Sequence, residues 1–241
     1  MRRWIVVLAL ASACRLRHRR ADFFDYTWDD RRVLCSSPID DLVGPIRWDV
    51  IAQQLALAAN LHWVLILHAH TPGVTVSPAT IDRVLTMADD YGLSFFTFRE
   101  LVPTRDPPGG LALAFDDDTP DQWVELRDIF AKHHAHVTFF VTRWNALTSL
   151  GRSEIALLAA DGHDIEPHST NHVRAPEYVA QHGLTAYLDD EVIPSIDVLV
   201  DAGYPTPTAF AYPWGEHTEA IDNAVLEHVD RVRVTPRWCP Y

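Results

Sequence analysis

With 241 residues, 48% of them hydrophobic and 22% charged, the chain can bury a sizeable core, and its 16 prolines and 10 glycines exclude collagen-like and low-complexity classes. Twenty basic residues face 33 acidic ones, and six of the 20 (Arg2, Arg3, Arg15, Arg17, Arg19, Arg20) fall in the first 20 positions, which hold no acid. A body that acidic repels phosphate backbones and excludes nucleic acid as a partner.

The chain starts with Met1, Arg2 and Arg3, an apolar run at 4–10, small residues Ala11, Ser12 and Ala13, and then Cys14. The run is too short for a hydrocarbon core that needs about 20 apolar residues, so 1–20 reads as a secretion leader. Small residues before Cys14 resemble a bacterial lipoprotein cleavage site. The protein is therefore expected in the periplasm, cell envelope or outside the cell, touching a membrane only through a lipid anchor at Cys14. The arginines after Cys14 oppose translocation, and a cytoplasmic protein with an extended start is the alternative. Three cysteines are too few for a disulfide scaffold, and no CxxC pair exists. With Cys14 lipidated, Cys35 and Cys239 remain as a candidate disulfide pair. Residues 21–47 carry aromatics and Asp pairs without periodicity and read as an N-terminal extension.

An amphipathic helix at 48–61 opens the domain expected over 48–241. Apolar runs then alternate with helical patterns, the signature of β/α units around a parallel sheet. Seven strands are expected, at 63–68, 94–97, 111–115, 137–141, 164–167, 208–211 and 231–234. Helices between them start after Ser77, Asp121 and Ser153, and Gly92, Gly162 and Gly203 each close one. No GxGxxG or GxxxxGK[ST] follows any strand, which removes the nucleotide-binding sheets and favours a distorted parallel β/α barrel.

In such a barrel the chemistry sits at the C-terminal ends of strands. Three ends stand out: Asp116, Asp117 and Asp118 after Phe115; His168 and His172 after Ile165; His68 and His70 after Leu67. A carboxylate directly after a buried strand is costly without a partner such as a metal. The spacing of His168 and His172 suits one side of a helical turn, with the rings about 5–6 Å apart at Cβ, as two neighbouring metal ligands require. The other Asp pairs (29/30, 40/41, 89/90, 189/190) read as solvated surface or caps. His133, His134 and His136 read as capping a helix end, and Trp123 and Trp144 as packing.

The run LALAFDDD, the segment DGHDIEPHSTNH and the segment TAFAYPWG, in that order, resemble the three leading motifs of the polysaccharide deacetylases, metal-dependent carbohydrate esterases on a distorted β/α barrel. The resemblance implies that Asp116 is the catalytic base, Asp117, His168 and His172 hold the metal, and the Trp214 backbone N–H helps bind the oxyanion. Tyr212 and Pro213 of the same segment are implied as substrate-binding. The closing motif, an apolar strand ending in a catalytic His, stands at the front, at 63–68, so the motif order is permuted and His68 becomes the expected acid, with His70 its competitor. Asp118 or Glu166 would then keep His68 protonated. The departures are Asp118 and Glu166, each where many members have Gly, and Ala209 and Ala211 flanking Phe210, where no Arg is present to orient the base.

The activity implied by this resemblance is the removal of N-acetyl groups from a glycan by water activated on a divalent metal, zinc by its ligand set. Two rivals stand beside it: a catalytically silent glycan-binding protein, and a hydrolase of a non-sugar C–N amide.

Overall fold

The computed structural model describes residues 25–240, so the leader and Cys14 lie outside the described residues. Three short strands come first, β1 (Asp25–Tyr26), β2 (Val33–Cys35) and β3 (Ser37–Pro38), followed by α1 (Trp48–Leu61), β4 (Val64–Ala69), α2 (Pro78–Asp90) and β5 (Ser94–Phe95). Then come β6 (Gly110–Asp117), α3 (Pro120–Trp123), α4 (Arg127–His133), β7 (Thr138–Val141), α5 (Ser149–Ala160) and β8 (Asp164–Pro167). The last part holds α6 (Ala175–His182), α7 (Leu184–Tyr187), α8 (Ile193–Asp201), β9 (Ala209–Ala211), α9 (Glu219–Val225) and β10 (Arg231–Val234). Among the described residues no helix is long and apolar enough to cross a membrane.

The strands β4, β6, β7 and β8 run parallel in that order, and β9, β10 and β2 form a second parallel group. The stretch 33–38 joins the two. Its first half pairs with β10 (Val33 opposite Val232) and its second half with β4 (Ser37 opposite Leu67). Seven staves therefore run in the order β9, β10, 33–38, β4, β6, β7, β8.

Among the described residues no main-chain ladder joins β8 to β9. The carboxylate of Glu166, wholly buried on β8, closes that seam by accepting from the Thr208 and Ala209 amides at 3.0–3.1 Å. The fold is an α/β barrel, distorted at one seam.

Several sequence expectations differ. The strand at 94–97 shrinks to β5, which pairs with the start of β6 and is not a stave, because Thr97 instead caps a turn closed by Glu100. The seventh stave comes from 33–38, inside the segment read as an extension. Helix α5 starts four residues before Ser153: Thr148 caps it by accepting from the Gly151 amide, and the Ser153 hydroxyl turns back onto the Ser149 carbonyl.

Side chains alternate across each stave. Odd positions such as Leu65, Leu67, Leu111, Leu113, Phe115 and Phe139 pack outward against the helices. Even positions such as Leu34, Val64, Ile66, Ala112, Ala114 and Phe140 fill the barrel, joined from β9 by Ala211. The same parity, continued to the C-terminal end, places Ser36, His68 and Asp116 inside the mouth, where Arg233 of β10 meets them. Cys35 and Cys239 form a disulfide across 204 residues, with Cα atoms 5.6 Å apart.

Candidate active site

Strand β6 ends in two carboxylates that part company. Asp117 adopts φ 93° and turns away from the direction that the pleat sets for Asp116. Its Oδ1 lies 3.2 Å from His172 Nε2 and 4.0 Å from His168 Nε2. Burial opposes its charge, yet the His172 hydrogen bond and the nearby histidines hold its pKa down at about 2.

His168 follows β8 directly. Its Nδ1 donates to the Ala211 carbonyl at 2.8 Å, and since a carbonyl can only accept, Nε2 keeps its lone pair toward Asp117. Burial lowers its pKa to about 4, so the ring is neutral. The spacing of four does not place the two histidines on a helical turn. They sit on an irregular loop with Ser169 and His172 in the left-handed region, where the Ser169 hydroxyl accepts from the His172 amide at 2.9 Å. Buried Glu191 clamps this loop by accepting from the Asn171 amide and side chain at 2.8 and 2.7 Å. One ligand atom from each of Asp117, His168 and His172 lies within 4.8 Å of the others. A carboxylate and two imidazoles, one of them with its tautomer fixed, fit a divalent, zinc-like ion.

Asp116 points inward and is buried. Its Oδ2 receives a short hydrogen bond from Arg233 Nη2, and its Oδ1 has no partner. Here the missing guanidinium reappears. Arg233 is the register partner of Ala211, so β10 supplies at that level the cation that β9 lacks, in space that the small Ala211 leaves open. The alternation in RVRV carries the signal: two arginines of one parity in a buried strand call for carboxylates inside the barrel.

His68 and His70 both reach this side, each with a ring nitrogen within 4.8 Å of an Asp116 oxygen. Their environments are opposite. His68 is buried, and its Nδ1 lies 2.9 Å from Ser36 Oγ, which donates onward to the Val234 carbonyl. Nδ1 must then donate to the hydroxyl, which leaves Nε2 an acceptor; burial and Arg233 push its pKa well below the usual value. Neither expected partner stands beside it, because Asp118 pairs with Arg143 and Glu166 with Arg99.

His70 is half-buried. Asp40 accepts from its Nδ1 at 2.8 Å and from its amide at 3.1 Å, and the Thr75 hydroxyl steadies the same carboxylate at 2.7 Å. Burial works against the charge, but Asp40 and the carboxylates of Asp116 and Asp117 raise the pKa to about 9. Asp40 is thus no solvated surface residue, and Asp41 likewise binds Ser77 at the start of α2.

Trp214 sits at φ 62° with its side chain 54% exposed. The next turn residue must be Gly215, since at φ 69° a Cβ there would lie 2.5 Å from the Thr235 amide nitrogen. Tyr212 and Pro213 are buried, and the Tyr212 ring packs against Phe210 and His217 in the cluster outside the barrel. Trp123 is core and Trp144 packs against Tyr204. His133 does not cap its helix but bridges Asp82 and Asp89 of α2.

The sequence model of the polysaccharide deacetylase family matches residues 104–229, just over half of the chain. The chain belongs to the polysaccharide deacetylase family. The match contains Asp116, Asp117, His168, His172 and Trp214, whereas Asp40, His68, His70 and Arg233 fall outside it.

Among solved structures, IcaB from Ammonifex degensii is similar at 17% identity and TM-score 0.59, covering 71% of this chain and 84% of that one. A polysaccharide deacetylase from Bacillus cereus is similar at 20% identity and TM-score 0.58, with 71% and 57% covered. A de-N-acetylase from Aggregatibacter actinomycetemcomitans is similar at 13% identity and TM-score 0.57, with 69% and 84% covered. At these identities the likeness is one of fold. No curated protein matches the sequence.

Proposed function

We propose that the protein is a metal-dependent hydrolase that removes N-acetyl groups from a glycan. The observation that supports this most is the split fate of two adjacent carboxylates: Asp117 faces two histidines, while Asp116 is buried against Arg233 with one oxygen uncommitted. Asp117, His168 and His172 would hold a divalent ion, zinc by the donor set, which when bound would supply Lewis acidity to polarise an acetyl carbonyl and lower the pKa of water.

Asp116 Oδ1 accepts the proton of the attacking water, and the hydrogen bond from Arg233 to Oδ2 fixes that carboxylate in direction. The Trp214 N–H is assigned to the developing oxyanion, where one such donor is worth about 3–4 kcal/mol. An amine leaves only once protonated. The hydrogen bonds of His68, the expected acid, make it an acceptor, and His70, charged on Asp40 at the mouth, suits the step better.

Arg233 also weighs against a silent binding protein, since it brings to Asp116 the guanidinium that the segment around Phe210 lacks. Export is proposed too, and the Cys35–Cys239 disulfide supports it, because such bonds persist in oxidising compartments. Mass spectrometry of the native N-terminus tests it, and an intact Met1 in a cytosolic fraction would count against it.

The test of the activity is acetate release from N-acetylglucosamine oligomers and peptidoglycan fragments, with and without added zinc. Metal uptake with no acetate from any substrate would sink the proposal in favour of the binding protein.

A further inference from the structure

Outside the catalytic residues, one line of side chains leads away from the site. The ring of His172 lies 5.5 Å from that of Trp214, and the guanidinium of Arg174 lies 4.1 Å from the Trp214 ring. Arg174 is held there by an ion pair with Glu216. It also forms one wall of a surface groove of about 280 Å³, completed by Val173, Glu177, Tyr178 and Gln181 along α6. Arg174 is thus common to the Trp214 platform and the groove.

The groove has the chemistry of a sugar site. Tyr178 brings an aromatic ring whose hydroxyl is already committed to Asp190 at 2.7 Å. Gln181 and Glu177, paired at 3.3 Å, present planar polar groups beside it. Apolar surface with a few fixed polar groups is how small-ligand sites orient what they hold, and a volume just below the usual range of roughly 300–1,000 Å³ suits a single ring. Glu216 neutralises Arg174, so Glu177 and Asp190 leave the rim acidic and unsuited to a uronic acid.

We propose that this groove is a subsite for a second, neutral or amine-bearing pyranose of the same glycan chain, reached across the exposed Trp214. The chain would lie over α6, and the enzyme would favour oligomers over short sugars. The inference rests on the proposed action on a glycan.

The measurement is acetate release by the metal-loaded full chain on β-1,4- and β-1,6-linked N-acetylglucosamine oligomers, from dimer to pentamer. We expect kcat/KM to rise about tenfold over that range, mainly through KM, as a second ring adds contacts without touching the reacting bond. Filling the groove with Gln181→Trp or Glu177→Trp should abolish the rise. A rise that survives both substitutions, or no rise in the unaltered chain, overturns the subsite. Should the unaltered chain release no acetate at all, the deacetylase reading fails separately, and calorimetry still reads the groove. Pentamer binding tighter than dimer and lost in Gln181→Trp would sustain the subsite, and equal binding would refute it.

Discussion

The two sides of the site are built differently. The proposed metal side, Asp117, His168 and His172, comes from consecutive β/α units, β6 to β8, and is positioned by a left-handed Asp117, a loop clamped by Glu191 and, from β9, a tautomer set by Ala211. The proposed proton-transfer side draws on the far ends of the chain. Ser36, Asp40, His68 and His70 come from its first 70 residues, and Arg233 comes from β10. The metal side gathers one carboxylate and two imidazoles, whereas the other side works by pairing full charges in the interior. In the second arrangement, loss of either partner leaves an uncompensated buried charge.

The comparison is broken most severely at the metal. Chelation should abolish acetate release and zinc restore it, while a His168→Ala, His172→Ala double variant should fold but lose most of its metal affinity. Full metal occupancy in that variant, read by elemental analysis, would refute the ligand set. On the other side, Asp116→Asn should keep metal and lose about 10² to 10⁴ in turnover. Arg233→Met should destabilise the fold by about 3–5 kcal/mol, much of it recovered when Asp116→Asn is added, because the double change removes both charges. Denaturant unfolding of the four proteins measures this, and additive losses would deny the pairing.

Loss of the disulfide through Cys35→Ala should cost up to about 5 kcal/mol from loop entropy, with metal affinity little changed, since the bond ties only the far ends of the chain. Equal loss of metal binding, read by titration, would show the two sides to be coupled.

His70→Gln should slow amide hydrolysis by about 10² while sparing an aryl acetate, whose leaving group needs no proton. His68→Gln should not discriminate the two substrates, and the reverse pattern would exchange their roles. The smallest effect is on pH dependence. Because the His70 pKa in the fold, about 9, lies above its ordinary value of 6.5, the pair with Asp40 contributes its full stability below about pH 6.5 and loses it as pH rises through about 9. Thermal melts of the metal-free protein should show that decline, and Asp40→Asn should flatten it.

The clustering of Asp117, His168 and His172 is legible in the sequence because each follows a recognisable hydrophobic strand, and the order of the three segments is specific. Most of the staves are legible for the same reason, with β9 and β10 weaker but correctly placed. The parts that escape are set by pairing at long range. The stave 33–38 reads VLCSSP, too short and too polar to alternate, and it becomes a strand only between β10 and β4. Asp40 looks like half of a surface Asp pair because nothing near it in sequence needs a carboxylate; its partner is 30 residues away. Ser36 and Arg233 escape likewise, each acting on a residue of another stave.

The placement of Arg233 also sets an order of events during synthesis. Strand β6, with both carboxylates, can pair with β4 and β7 as soon as residue 141 has been made, yet Asp116 then stands at the mouth of a barrel missing β9 and β10. Its guanidinium arrives only when the chain has been read through residue 233, 117 residues later, and the stave 33–38 must wait for the same strand to dock on its other side. Contacts of such separation form late and slowly. A chain that emerges from its N-terminus can therefore bring Asp117, His168 and His172 together once β9 has supplied Ala211, but can fix Asp116 only after β10, so metal uptake should precede activity during folding.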